Sequence, residues 1–244
     1  MWPYPKVLAH RGAGKLAPEN TLAAMQCGME YGYRAVEFDV MLSKDGVPVL
    51  MHDPEFGRTV QGQGAVATTL CSELLKMDAG AWFSEKYRGE TVPSYESVVL
   101  FCRQNNIFMN VEIKPAPGFE AKTGEVVAQT TLAMYGAMSE EFPLFSSFSL
   151  DALMAAKHAA PQVPRGFLTD QIQESWREAM QEIGAVALHT NHKHLNLTLA
   201  AQVKQAGFGL FCYTVNTLER AHEIRSWGVD GFCTDRIDLI AADF

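Results

Sequence analysis

Short runs of Val, Ile, Leu and Phe alternate along this chain with longer segments in which apolar residues recur at helical spacing. That alternation marks a parallel sheet whose strands are joined by helices. Strand-like runs fall near 7–10, 35–41, 47–52, 108–113, 143–148, 164–168, 185–189, 208–214 and 230–234. Helical segments fall at 20–32, 94–105, 123–135, 149–159, 172–183, 197–206 and 217–227. Asn20 is placed to cap the first helix, and Ser149, followed by Leu150 and Asp151, to cap the fourth. Gly32, Gly184, Gly207 and Gly228 stand where helices should stop.

Nine strands are one too many for a (β/α)8 barrel, and the surplus can be located. Only Leu42-Ser43-Lys44-Asp45-Gly46 separates the second run from the third, too short for a parallel crossover. Asp-Gly is a hairpin signal, so 47–52 folds back antiparallel on 35–41. Pairing residue 42 with 47 sets Glu37 beside His52. The other eight strands then form an α/β TIM barrel, with residues 1–244 as one domain. Residues 53–92 are Gly-rich and aperiodic, and are expected to be an insertion over the C-terminal mouth of the barrel. Trp82 and Phe83 within it form either an apolar lip for a ligand or an anchor to the barrel.

Composition narrows the class without changing the fold. Apolar residues make up 48% and charged residues 20%, an ordinary globular balance, and the net charge of −8 disfavours nucleic acid or an anionic membrane surface as partner. A small anionic ligand therefore needs a local positive site. The first six residues carry no signal-peptide pattern, and no apolar run reaches the roughly 20 residues of a membrane helix. Five scattered cysteines without a Cys-x-x-Cys pair suit reduced thiols, so a cytoplasmic protein is expected.

Four polar clusters end strands where packing gives no reason for charge. His10-Arg11-Gly12 offers an acid–base group and a planar two-donor clamp for phosphate. In Glu37-Phe38-Asp39, strand alternation turns both acids to the face opposite Val36, Phe38 and Val40, and hence into the barrel. His52 ends the hairpin strand opposite Glu37, while Asp53 is read as capping the turn before Pro54. Glu112 and Lys114 share the inward face of the strand at 108–113, adding a third carboxylate and a second cation. Buried like charges need a cation, either salt-bridging residues or a divalent metal. Three carboxylates suit Mg2+ or Ca2+ better than zinc. Three acids, one divalent ion, Arg11, Lys114 and a phosphodiester monoanion sum to zero charge. His189, His192 and His194 tempt a second metal reading, but their spacing defines no zinc site and Lys193 would repel a cation, so surface or rim roles are expected. His158 and His222 lie in helices and are read as structural.

At these residues the chain resembles the glycerophosphodiester phosphodiesterase family, particularly its short bacterial cytosolic members. The likeness covers His10-Arg11-Gly12, Pro18-Glu19-Asn20-Thr21, Glu37 and Asp39 with the Lys44-Asp45-Gly46 turn, His52-Asp53 and Glu112-Ile113-Lys114. It continues through Tyr213-Thr214-Val215-Asn216 and Gly228-Val229-Asp230-Gly231 to Thr234-Asp235. The resemblance implies a barrel of the phospholipase C-like type, a metal held by Glu37, Asp39 and Glu112, and His10 and His52 as acid and base. It implies hydrolysis of small-molecule glycerophosphodiesters to sn-glycerol 3-phosphate and an alcohol. Asn20 is read as a helix cap, and Thr214, Asn216 and Asp235 as hydrogen-bonding residues of the barrel rim. A lysophospholipase D is the nearest alternative, and a non-catalytic phosphate-ester or protein-binding barrel the alternative from another class.

Overall fold

In the computed structural model, which describes residues 2–136 and 141–244, eight parallel strands close into a barrel with helices between them. The barrel strands are β1 (Val7–Ala9), β2 (Ala35–Leu42), β4 (Phe108–Ile113), β5 (Leu144–Ser147), β6 (Arg165–Thr169), β7 (Ala187–Asn191), β8 (Gly209–Tyr213) and β9 (Gly231–Thr234). β1 pairs with both β9 and β2, which closes the ring. The ninth strand, β3 (Pro48–Leu50), lies antiparallel on the C-terminal part of β2, as the short Asp-Gly connection requires.

The hairpin register differs by one residue from the expected one. Leu42 pairs with Pro48, not Val47, because the turn is a three-residue loop closed by Ser43 and Val47. Gly46 N–H donates to the Ser43 carbonyl at 2.9 Å and Gly46 takes φ 77°, the left-handed last position of such a loop. Ser43 Oγ, itself bonded to Asp45, accepts from Val47 N–H and fixes the closing pair. The expected 37–52 pairing is therefore replaced by a 39–51 contact, in which Met51 N–H donates to the Asp39 carbonyl.

The helices on the outside are α1 (Leu22–Glu30), α3 (Tyr95–Gln104), α4 (Glu120–Tyr135), α5 (Leu150–Ala159), α6 (Trp176–Ile183), α7 (Leu197–Gln205) and α8 (Leu218–Ser226). Ser149 caps α5 as expected, accepting from Ala152 N–H. α1 is capped by Thr21, not Asn20, and begins two residues later than its apolar pattern suggests. The main core fills the space between strands and helices, with Val36, Phe38, Val40, Val111 and Ile113 on the helix-facing side. Glu37, Asp39, Asn110 and Glu112 occupy the alternate positions of β2 and β4 and so face the barrel interior. The interior's lower end is apolar: Leu8, Ala35, Phe211 and Cys233 form its cluster, with Trp2 and Phe108 packed against it.

Between β3 and α3 the chain makes the short helix α2 (Cys71–Leu74) and a small core of its own from Met51, Val60, Val66, Leu74 and Val92, joined to Met41 and Val49 of the hairpin. This insertion packs against the hairpin. Among the described residues, none from 53–92 lines the central cavity, while Arg58 of the insertion donates to Asp53 and Glu19 beside it. Trp82 and Phe83 stack edge-on against each other, Phe83 stacks on Tyr87, and the Trp82 indole donates to the Ala79 carbonyl. The pair is internal to the insertion.

Candidate active site

A cavity of about 190 Å³ opens within the C-terminal half of the barrel, lined by His10, Arg11, Glu37, His52, Glu112 and Lys114 among others. Asp39 sits at its wall, 1% exposed, bonded to Lys114 Nζ at 3.2 Å. All seven residues singled out from the sequence thus converge on one place.

The three carboxylates come from adjacent parallel strands in matched register, Glu37 opposite Asn110 and Asp39 opposite Glu112. One ligand oxygen from each of Glu37, Asp39 and Glu112 lies within 4.8 Å of the others. Such proximity separates their ionisation. Burial, with Asp39's charge, pushes the Glu37 carboxyl up to about 7, and the same two causes raise Glu112 well above the carboxylate range. Burial opposes ionisation of Asp39 as well, but Lys114 and Arg11 outweigh it and hold that group down to about 2. The nearby cations thus satisfy Asp39, and the other two acids call for a further positive charge.

His10 and His52 are oriented alike. Each has Nδ1 engaged by a carboxylate, His10 by Asp235 at 2.6 Å and His52 by Asp53 at 2.7 Å. This leaves each Nε2 for chemistry. The rings differ in proton affinity. Burial disfavours charge on His10, but the Asp235 hydrogen bond and the Glu37 charge outweigh it and raise the ring's pKa. On His52 burial prevails, assisted by Arg11 and Lys114, and the pKa falls despite Asp39. Asp235, held down to about 2 against burial by His10 and Asn216, stays ionised as His10's partner.

Arg11 sits just past β1 with φ 52°, and its backbone N–H donates to Glu37 at 3.1 Å. Its guanidinium donates to Glu19 at 2.7 Å, and its Nε lies 3.6 Å from Asp39. Arg58, from the insertion, donates to both Glu19 and Asp53, so one cation braces the carboxylates that hold Arg11 and His52.

Two of these partners, Asp53 and Asn20, differ from the sequence reading. Asp53 does not merely cap a turn; it orients His52. Asn20, at φ 58°, caps no helix; its amide donates to Asp39 Oδ2 at 2.8 Å and its carbonyl oxygen accepts from Asp39 N–H at 3.1 Å. Asn216, a hydrogen-bonding residue as expected, donates to Asp235 and accepts from its backbone, which fixes the carboxylate behind His10. Only Asp53 carried a local signal, its place beside His52 just past a strand. Of the histidine trio, His192 and His194 stay on the loop beyond β7, His192 holding Arg220. His189 is neither surface nor rim: it is buried inside the barrel and lines the cavity.

A sequence model of the glycerophosphoryl diester phosphodiesterase family matches residues 10–239. The chain is 35% identical to a glycerophosphodiester phosphodiesterase of Caldanaerobacter subterraneus subsp. tengcongensis, covering 94% of this chain and 93% of that one. A solved Oleispira antarctica phosphodiesterase, in complex with the product sn-glycerol-3-phosphate, superposes with a TM-score of 0.90 at 33% identity, covering 95% of this chain and 93% of that one. A solved glycerophosphodiester phosphodiesterase of Agrobacterium tumefaciens superposes at 0.80 with 28% identity, covering 98% of this chain and 100% of that one.

Proposed function

Because the chain belongs to the glycerophosphoryl diester phosphodiesterase family, we propose that it hydrolyses glycerophosphodiesters to sn-glycerol 3-phosphate and an alcohol. The observation that carries this reading is the pairing of two carboxylate-held histidines, shifted in opposite directions, with three clustered acids at one cavity.

The acids fit a divalent cation. Two of the three are pushed towards their neutral forms without one, although their oxygens lie close enough to share an ion, and an all-oxygen donor set suits Mg2+ or Ca2+. Glu37, Asp39 and Glu112 would hold it, and it would supply Lewis-acid polarisation of a phosphate oxygen.

The chain's own groups do the rest. Arg11 and Lys114, the two Arg or Lys side chains lining the cavity, orient the phosphate. His52, the ring of lower proton affinity, takes the proton of the attacking hydroxyl. His10, the ring of higher affinity, gives one to the departing alcohol oxygen. Groups whose environments push their pKa values apart divide acid and base roles in this way. In net terms one water is consumed and the phosphorus–oxygen bond to the alcohol is broken. Five free thiols, four of them buried, suit a reducing cytoplasm. Among the described residues no helix is long and apolar enough to cross a membrane.

The test is a product assay on glycerophosphocholine with and without chelator. Release of sn-glycerol 3-phosphate and choline, abolished by chelation, is the expected result. No release at any divalent-metal concentration would remove the reading.

A further inference from the structure

Below the acidic cluster the cavity reaches side chains to which the chemistry so far assigns nothing. His189 is 1% exposed, and neither ring nitrogen has a hydrogen-bond partner among the described residues. Asn110, 2% exposed, donates its amide to Ser146 Oγ at 3.1 Å, but its carbonyl oxygen also lacks a partner. Both residues line the central cavity. Asn110 stands one interior step below Glu112 on β4, directly opposite Glu37.

The imidazole is held in place by shape. Its ring lies 4.7 Å from that of Phe211, centroid to centroid. On β6 the chain has Gly166, where a β-carbon would come within 2.5 Å of His189 Nε2. Any larger residue would evict the ring, so the sequence makes room for a histidine at this depth. A buried histidine that serves only packing usually gives its N–H to a carbonyl or a carboxylate, and this one does neither. Burial pushes its pKa down to about 3, so the ring is neutral, with one nitrogen a donor and the other an acceptor.

That chemistry selects a ligand. A neutral ring has no charge to attract phosphate, and one imidazole with one amide oxygen is a poor match for a hard cation. A hydroxyl group, which both donates and accepts, complements an imidazole and an amide oxygen in a water-poor recess. We propose that His189 and Asn110 form a hydroxyl-binding subsite at the base of the cavity, which takes the glycerol end of the substrate and discriminates against phosphodiesters lacking those hydroxyls. This inference rests on the glycerophosphodiesterase reading and specifies how that substrate class is recognised.

The test compares kcat/KM for glycerophosphocholine with kcat/KM for bis(p-nitrophenyl) phosphate, a diester without hydroxyls, in metal-supplemented enzyme. His189→Phe, which keeps the ring's bulk but loses both nitrogens, is expected to lose about tenfold or more on the glycerol ester. It is expected to stay within about twofold of wild type on the hydroxyl-free ester. His189→Gln should recover part of the difference. Asn110→Leu should move the ratio in the same direction as His189→Phe, and it keeps the test open if the phenylalanine variant does not fold. Calorimetric titration of the folded variants with sn-glycerol 3-phosphate should show weakened binding. Equal losses on both esters, or an unchanged ratio in each folded variant, would overturn the subsite and leave the proposed activity standing. Wild-type enzyme that cleaves the hydroxyl-free ester but no glycerophosphodiester would overturn the activity and the subsite together.

Discussion

The two ends of the barrel treat buried polarity in opposite ways. At the lower end Arg165, on the helix-facing side of β6, is buried without a carboxylate partner among the described residues, yet its guanidinium donates to the carbonyls of Val163 at 2.6 Å and Ile183 at 3.0 Å. Inside that end the barrel is closed by apolar contacts, with Trp2 stacked near Phe211 and Tyr4 on Phe108. At the upper end two carboxyls are pushed towards their neutral forms, and Asn110 and His189 keep unpaired atoms. The same strands run through both ends, so the contrast belongs to the side chains and not to the backbone. The lower end is complete in itself. On the proposed function the upper end is completed by a cation and a ligand, which is how binding energy would come to reside there.

Removing the cation breaks the contrast most severely. Chelated protein is expected to have no measurable activity, with Mg2+ or Ca2+ restoring it in a titration. Asp39→Asn should raise the concentration needed for half-maximal rate. Full activity after exhaustive chelation, with no metal found by elemental analysis, would sink the assignment of Glu37, Asp39 and Glu112.

The next effect is catalytic. His10→Ala and His52→Ala are each expected to lower kcat by about 10²-fold or more, as loss of an acid–base group does. Thermal unfolding should show both variants folded. Near-normal kcat in either variant would end its catalytic role.

Leu8→Ala is the matching change at the lower end. Leu8 is 1% exposed in the interior cluster, and its truncation should cost about 2–5 kcal/mol in denaturant unfolding. kcat should change little wherever the variant is folded. A fall in kcat comparable to the histidine variants would show that the two ends are not separable.

The smallest effect concerns pH. Glu37's carboxyl lies at about 7 in the folded protein against an ordinary value of 4.5, so the folded form holds a proton that the unfolded chain has released. Its contribution is fully present below 4.5 and is lost as pH rises towards about 7. Asp39 and Asp235, held at about 2, act only at lower pH and with the opposite sign. The Tm of metal-free protein should therefore fall by a few degrees between those limits, about 2–4 °C for each kcal/mol lost. Saturating metal should flatten the curve. A Tm of chelated protein that rises over this window would contradict the buried-proton account.

What could be read from the sequence divides along physical lines. Alternation in Val36-Glu37-Phe38-Asp39-Val40 and Val111-Glu112-Ile113 was enough to turn three acids inward, because strand geometry leaves no other choice. The hairpin's existence followed from a five-residue gap. Its register did not, because Ser43 Oγ, invisible to a turn rule, decides which residues close the loop. Asn20 looked like a cap because the rule concerns the residue next to the helix, and Thr21 took that place. Asp53, Asn216 and Asp235 act through partners in space, and only Asp53 has its partner beside it in the chain. His189 was masked by its neighbours: in a row of three histidines on a strand and loop, periodicity does not mark which one stays on the strand.

The closure of the ring has a consequence for the order in which the protein is made. β1 is the first strand to leave the ribosome and β9 the last, yet they are neighbours in the finished barrel. His10 follows the first and Asp235 the last, so this hydrogen-bonded pair joins the earliest and latest strands of the barrel. Until the final strand docks, the carboxylates of β2 and β4 face open water through the unfilled gap. On the proposed mechanism a chain in that state would be inert, because His10 has no Asp235 behind it. Pulse-labelling of amides during refolding should show the β1 and β9 pairing among the last to gain protection, with the first turnover appearing no earlier.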